Sequence, residues 1–153
     1  FEHKKLFSSK QDVPDGEIID QLGEAKVRIS GSDVTIVALA AMVPVAVNAA
    51  TLLKSSGVSA EVIDLRTLVP LDTKVILESV SRTGGLVTVE ENPRLCGWGA
   101  EITSIVAEEC FWQLDGPIVR VTTPHIPLPA APELEDLAIP SPENVVEAVL
   151  RLR

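Results

Sequence analysis

The stretch DVTIVALAAM, residues 33–42, decides the fold. It is an unbroken apolar run that is rich in β-branched residues. Such a run predicts a strand that is covered on both faces in a parallel sheet. Pro44 follows at a position that suits the first turn of a helix. The stretch therefore predicts a buried strand, over residues 33–42, that leads directly into a helix.

Strands and helices alternate outward from this stretch. Four further strands are predicted, at residues 25–29, 60–65, 86–89 and 117–122. Four helices are predicted from apolar residues at helical spacing: Val45, Ala49, Leu52 and Leu53; Val75, Ile76 and Val80; Ile102, Ile105, Val106 and Cys110 within residues 99–114; and Val145, Val146, Val149 and Leu150. This alternation is typical of βαβ units. We predict an α/β fold, a three-layer α/β/α sandwich with a mostly parallel five-stranded sheet.

Turn, cap and proline residues set the expected boundaries. Asp72 suits the N-cap of one helix, and Ser141-Pro142-Glu143 provides a cap, a first-turn proline and a first-turn acid for another. Residues 123–142 contain six prolines, so no regular element is expected there. Residues 1–24 are read as an extended lead-in, which leaves residues 25–153 as the domain.

Composition excludes several functional classes. The chain has 153 residues, is 46% hydrophobic and carries a net charge of −9. That charge is opposite to the basic footprint of a nucleic-acid-binding protein. No run approaches the roughly 20 apolar residues of a membrane helix, and no signal-peptide core is apparent. Because the chain does not begin with Met, we expect a processed or truncated protein.

The charge is uneven, and the cysteines are sparse. Residues 101–153 hold nine acids and three bases, whereas residues 1–100 hold 13 acids and 10 bases. An acidic C-terminal third can steer a basic partner or simply form a solvated surface. Cys96 and Cys110 do not make a zinc-ligand pattern, so we expect no metal site, and a reducing, cytoplasmic compartment.

The turn Gly97-Trp98-Gly99 raises the question of phosphate binding. A dinucleotide fingerprint needs a third small residue, but Ile102 stands at that position. Glu101 places a negative charge in the first turn of the following helix, where it stabilises the helix and repels a second anion. We therefore interpret the turn as a tight strand-to-helix connection with no cofactor-binding residues.

Other candidate catalytic residues are isolated. Glu90 and Glu91 are adjacent in a strand and so point to opposite faces; one of them is expected to accept loop amides or to pair with Arg94. His125 has no nucleophile or carboxylate at an informative spacing and is read as a surface or interface residue. We predict no catalytic residue in this chain.

Two smaller patterns stay open at this stage. Asp64 and Arg66 could hold an anion, but a local ion pair at the C-terminal end of a strand is the simpler interpretation. Phe111 and Trp112 cannot both face the core of one helix, so the pair is either a half-buried rim or a partner surface.

Five segments together resemble one family: DVTIVALAAMV (33–43), EVIDLRTLVPLD (61–72), GLVTVEENPRLCGWGAEI (85–102), PIVRVTTPHIPLP (117–129) and LEDLAIPSPENVVEAV (134–149). They are similar to the C-terminal domain of the beta subunit of thiamine-diphosphate-dependent 2-oxoacid dehydrogenases. This resemblance implies the transketolase C-terminal-domain fold. It also implies that thiamine diphosphate and Mg²⁺ are held by an alpha subunit and by the beta subunit's other domain. His125 departs from the pattern, because relatives often have an acid there.

The resemblance also implies partners. They are the alpha subunit, a second beta subunit and the lipoyl acyltransferase core, which docks through its peripheral-subunit-binding domain. The acid that accepts an arginine of that domain matches Asp115, and Glu108 and Glu109 are secondary docking candidates. Alternative interpretations are the equivalent domain of a deoxyxylulose-phosphate synthase or transketolase, a free-standing flavodoxin-like binding module, and a pure oligomerisation domain.

Overall fold

The computed structural model describes residues 3–10 and 12–152. Its five strands are β1 (Lys26–Ile29), β2 (Val34–Ala38), β3 (Ala60–Asp64), β4 (Leu86–Pro93) and β5 (Val119–Thr123). They form one sheet in the order β1-β3-β2-β4-β5. Strands β2 to β5 run parallel, and β1 pairs antiparallel with β3. The predicted mostly parallel five-stranded sheet is confirmed.

Helices cover both faces of the sheet. They are α1 (Met42–Ser55), α2 (Thr73–Thr83), α3 (Gly99–Glu109), α4 (Pro132–Ala138) and α5 (Pro142–Leu150), with short 3₁₀ segments at Lys4–Ser8 and Phe111–Gln113. Helices α1 and α5 pack with one face of the sheet, and α2 and α3 pack with the other. The three-layer sandwich is therefore confirmed, with one apolar core on each side of the sheet.

Strand β2 confirms the buried strand that residues 33–42 predict, but it is shorter than predicted. All five of its residues are buried, as expected for a central strand. The chain then turns at Ala40, which has a left-handed φ of 51°, and α1 begins at Met42. The strand ends four residues before residue 42 because this turn redirects the apolar run into a helix.

Helix α1 buries a different stripe from the one predicted. Ala46, Ala49 and Leu53 are fully buried, whereas Leu52 is 46% exposed. Small alanines let the helix approach the sheet closely, and that rotates Leu52 outward. Its assignment to the buried face was wrong.

Two helix boundaries also differ from the predictions. Helix α3 ends at Glu109 instead of continuing to residue 114, and Phe111–Gln113 form a 3₁₀ turn. Helix α4 lies inside the proline-rich segment, for which no regular element was expected. Pro132 occupies its first turn, and residues 133–139 contain no proline, so the local sequence permits a short helix.

The cap predictions hold. The Asp72 side chain accepts a hydrogen bond from Val75 N at 3.3 Å, and Ser141 forms a capping box with Asn144. Within the expected lead-in, Lys4–Ser8 form a 3₁₀ helix. In the described part of the chain, no helix is long and apolar enough to cross a bilayer.

Candidate functional site

Glu90, in β4, is a fully buried carboxylate. Arg120 of the neighbouring strand β5 donates two hydrogen bonds to it, from Nε to Oε1 and from Nη2 to Oε2, each 2.8 Å long. A bidentate pair of this kind is among the stronger hydrogen-bonded contacts. Arg94, the partner predicted from sequence, instead donates to the backbone carbonyl of Arg120 at 3.4 Å. Of the two alternatives predicted, pairing with Arg94 does not hold for Glu90, because Arg120 is the arginine on the adjacent strand; acceptance of a loop amide does hold, through the Gly99 N–H.

The Glu90 carboxylate also holds the start of α3. Its Oε2 accepts hydrogen bonds from the Gly99 N–H and the Asn92 amide, both at 3.0 Å, and its Oε1 accepts from the Thr88 hydroxyl at 2.8 Å. Burial raises the pKa of Glu90, but the hydrogen bonds from Arg120 and these three groups outweigh it and lower the pKa. Glu90 is thus held ionised at the positive end of a helix.

This carboxylate explains the glycines of the Gly97-Trp98-Gly99 turn. A Cβ on Gly99 would lie 2.1 Å from Glu90 Oε1, and a Cβ on Gly97 would lie 2.2 Å from Asn92 Nδ2. The turn wraps closely around Glu90, so the helix start already holds an anion. A diphosphate does not fit this position, since Glu90 would repel it. The geometry supports a tight strand-to-helix connection.

The crevice between the carboxyl ends of β2 and β4 is the switch point of the sheet, where open α/β folds bind ligands. Here the chain's own N-terminal segment borders it. His3 Nε2 lies 3.0 Å from Glu91 Oε2 at the end of β4. Leu6 and Phe7 line a cavity of about 360 Å³ together with Leu39, Ala40, Asp64 and Arg66. Glu90 and Glu91 thus have separate partners and do not share one site.

Asp64 and Arg66 make their contact through the backbone. The Arg66 N–H donates to the Asp64 carboxylate at 3.2 Å, whereas the Arg66 guanidinium pairs with Asp20 at 2.5 Å. Burial raises the pKa of Asp64.

His125 is exposed in a bend after β5. Among the described residues, no cluster of three or more His, Cys, Asp or Glu side chains is placed to hold a metal ion.

Asp115 lies at the opposite, amino-terminal edge of the sheet, in the turn before β5. Its N–H donates to the carbonyl of Gly84 at 2.8 Å, which fixes the backbone. Its carboxylate lies directly over Gly84. A Cβ added to Gly84 would be only 2.1 Å from Asp115 Oδ2. The residue lines an open cavity of about 350 Å³, together with Asp33, Val34, Thr83, Gly84, Gly85, Gly116, Val149 and Leu152.

Glu108 and Glu109 are exposed in the last turn of α3. Helix α3 runs back to the edge at which β5 starts, so both acids lie on the same side of the domain as Asp115. From residue 102 to residue 118 the sequence holds three acids, Glu108, Glu109 and Asp115, and no lysine or arginine. The structure therefore places the three docking candidates along one acidic edge.

Phe111 and Trp112 lie between these acids. The two residues are 57% and 90% exposed, so of the two alternatives the half-buried rim does not hold for Trp112. The cause is the early end of α3: Cys110 is buried and anchors the chain, and the following 3₁₀ turn directs both rings outward.

Residues 23–145 match the family described as "Transketolase, C-terminal domain". The chain belongs to this family. The architecture of this transketolase C-terminal domain agrees with solved structures. "Split gene transketolase, inactive beta4 tetramer" superposes with a TM-score of 0.77 at 30% identity, over 93% of this chain and 45% of that one.

A more distant structure shares the fold alone. The 2-oxoglutarate:ferredoxin oxidoreductase from Magnetococcus marinus superposes with a TM-score of 0.58 at 15% identity, over 84% of this chain and 19% of that one.

Curated relatives of this transketolase C-terminal domain are beta subunits. The pyruvate dehydrogenase E1 component subunit beta of Rickettsia felis is 45% identical over 151 residues, which cover 99% of this chain and 46% of the relative. The acetoin:2,6-dichlorophenolindophenol oxidoreductase subunit beta of Cupriavidus necator is 43% identical over 147 residues, which cover 96% and 44%. The chain thus spans about half the length of the curated relatives it matches.

Sequence reasoning missed Arg120 as the partner of Glu90. The signal was present: each charge lies inside an apolar strand of a sheet that is covered on both faces. A charge in such a strand needs a partner, because an unpaired buried charge is costly. The sequence thus shows that each charge needs a partner, but only the tertiary structure identifies it: β4 and β5 are neighbours, and Arg120 lies opposite Thr88, two residues from Glu90.

Proposed function

We propose that the full-length protein is the beta subunit of a thiamine-diphosphate-dependent 2-oxoacid dehydrogenase, in its decarboxylase component. The reaction is oxidative decarboxylation of a 2-oxoacid with transfer of the acyl group to lipoyl. Residues 25–153 form the C-terminal domain, and residues 1–24 link it to the preceding one. The two beta-subunit relatives, at 45% and 43% identity, support this assignment.

In this proposal, the domain serves assembly and docking. Thiamine diphosphate supplies the electron-sink chemistry of decarboxylation, and we place it and Mg²⁺ in other parts of the enzyme. The Gly97-Trp98-Gly99 turn supports this placement, because the helix start that follows it, at Gly99, already binds the Glu90 carboxylate. The partners are an alpha subunit, a second beta subunit and a lipoyl acyltransferase core. The cytoplasmic location stays a prediction.

One observation carries the docking role: Asp115 presents a carboxylate at an acidic edge on a fixed backbone. The hydrogen bond from its N–H to Gly84 holds the residue in place, and Glu108 and Glu109 add negative charge nearby. A carboxylate in this setting suits an arginine of the peripheral-subunit-binding domain, because Arg–carboxylate pairs set partner choice and speed association.

Calorimetry tests the docking role. The full-length subunit, assembled with its alpha subunit, is titrated with the peripheral-subunit-binding domain of its acyltransferase. We expect Asp115→Asn to weaken binding by about thirtyfold or more, since truncating one partner of an interfacial charge pair costs about 2 kcal/mol or more. Glu101→Gln removes an exposed acid at the other end of α3 and serves as the matched control.

Two outcomes would count against the proposal. Unchanged affinity in Asp115→Asn would remove that residue from the interface, and no binding by the wild-type assembly would remove the docking role. Turnover assays with pyruvate, branched-chain 2-oxoacids and acetoin identify the substrate, which is set outside this domain.

A further inference from the structure

The Phe111–Trp112 pair is an exposed apolar projection on the acidic edge. The two rings meet edge to face, with their centroids 5.0 Å apart and their planes at 86°. This contact orients the Trp112 indole and leaves it 90% exposed. Large aromatic groups that stay in water on a defined surface mark interaction sites.

The backbone beneath the pair is fixed on both sides. On one side Cys110 is 3% exposed, and its sulfur lies 3.2 Å from the Ser81 hydroxyl. On the other side Asp115 N donates to the Gly84 carbonyl at 2.8 Å. The Gln113 N–H closes the turn on the Cys110 carbonyl at 3.1 Å. A partner would therefore meet an aromatic pair carried on a fixed turn, which lowers the entropy cost of binding.

The surrounding charge determines the kind of partner. Glu108 and Glu109 precede the pair, Asp115 follows it, and residues 101–118 contain no lysine or arginine. An indole face attracts a guanidinium by a cation–π contact when the two lie within about 6 Å. Carboxylates on both sides would hold the same cation by hydrogen bonds. Aromatic and acidic groups in this order complement an arginine-bearing segment.

We propose that Trp112, braced by Phe111, is the second anchor of the docking surface and stacks on an arginine of the basic partner domain. This inference rests on the docking role proposed above and assigns the partner a second contact besides the one to Asp115. Trp112 contributes apolar area that is buried on binding and stacks on the arginine. Asp115 contributes a charge that fixes the position of the partner domain.

Calorimetry on the full-length subunit, assembled with its alpha subunit, tests the anchor against the same peripheral-subunit-binding domain. We expect Trp112→Ala to weaken binding by about tenfold or more, as for an interfacial hot spot, and Trp112→Phe to retain most of the affinity. Leu137→Ala removes a side chain of similar exposure, 84%, on α4 and is expected to leave binding unchanged.

A probe domain with its arginines changed to lysine gives an independent readout. Lysine lacks the planar guanidinium that stacks on an aromatic face. The change is expected to weaken binding to the wild-type assembly more than binding to Trp112→Ala, which would show that the two groups are coupled.

Three results would overturn the inference, and they are distinguishable. Wild-type affinity in Trp112→Ala, with weakened binding in Asp115→Asn, refutes the anchor and leaves the docking role standing. No binding by the wild-type assembly refutes both. A change of oligomeric state in Trp112→Ala, measured by light scattering, shows that another subunit covers the pair.

Discussion

At the scale of single residues, Glu90 shows how a buried charge organises its surroundings. It joins β4 to β5 through Arg120, and it holds the start of α3 through the Gly99 N–H. Moving a carboxylate out of water costs free energy, and several well-placed hydrogen bonds to the carboxylate are needed to offset that cost. The glycines around it follow from this need, because side chains at Gly97 or Gly99 would collide with the group or its partners.

Glu90→Gln is expected to lower the free energy of unfolding by about 3 kcal/mol, because it leaves the Arg120 charge buried without its counterion. Urea denaturation measures the loss. Glu91→Gln is the matched control: the Glu91 carboxylate is partly exposed and pairs with His3, so the change is expected to cost about 0.5 kcal/mol or less. Equal effects of the two substitutions would contradict the assigned role of Glu90.

The wild type and Glu90→Gln should also differ in how their free energy of unfolding changes at acidic pH. Since the pKa of Glu90 lies below its usual 4.5, the unfolded state binds the proton first as the pH falls. Its stabilising contribution is therefore complete above about pH 5 and is lost on further acidification. Asp64, whose pKa is raised by burial, contributes in the opposite sense in both proteins. The wild type is thus expected to lose more stability than Glu90→Gln below pH 4.5.

At the scale of elements, strands and long helices were predictable, whereas the ends of α3 and the short α4 were not. The buried strands follow from continuous apolar runs and β1 from a short alternation of polar and apolar residues, and α2 and α5 follow from apolar stripes with caps at Asp72 and Ser141. Helix α3 ends early because burial of Cys110 redirects the chain, and that depends on packing. Helix α4 was not predicted because residues 123–142 were judged together as one proline-rich segment, although the residues of α4 themselves permit a helix.

Gly84, which ends α2, connects an element boundary to the docking surface. Its φ is +69°, and a Cβ would lie 2.1 Å from Asp115 Oδ2. Gly84→Ala is expected to destabilise the fold by at least about 1 kcal/mol through backbone strain and, by displacing the Asp115 carboxylate, to weaken docking.

Gly57→Ala separates these two effects. Gly57 has a φ of +76° with nothing within 4 Å of its Cβ position, so it carries the strain without the collision. Thermal unfolding and the calorimetric docking assay are run on both variants. If Gly84→Ala docks as tightly as Gly57→Ala, the geometry assigned to Asp115 is wrong.

At the scale of the whole molecule, the two ends of the sheet differ in character. At the carboxyl end, Glu90 holds the start of α3, and the N-terminal segment borders the crevice where open α/β folds bind ligands. At the amino end, Asp115, Glu108, Glu109 and Trp112 are exposed. This polarity suits a domain that joins other subunits while the chemistry takes place elsewhere in the enzyme.

The isolated 153-residue chain is therefore expected to be inactive. With thiamine diphosphate and Mg²⁺ added, it should release no CO₂ from pyruvate, because the groups that hold and activate the cofactor are proposed to lie outside it. The full-length beta subunit assembled with its alpha subunit is the positive control. Decarboxylation by the isolated chain would contradict this division of labour.

The sequence by itself determined the α/β class, the parallel sheet, the helix caps and the family resemblance, because these depend on local periodicity and on residue types at fixed spacings. Tertiary structure alone decided that Arg120 meets Glu90, that Leu52 faces water, and that Asp115 lies over Gly84. Each of these depends on which residues meet across strands and helices that are distant in sequence. Such contacts are set by packing of the whole sheet, and no local pattern encodes them.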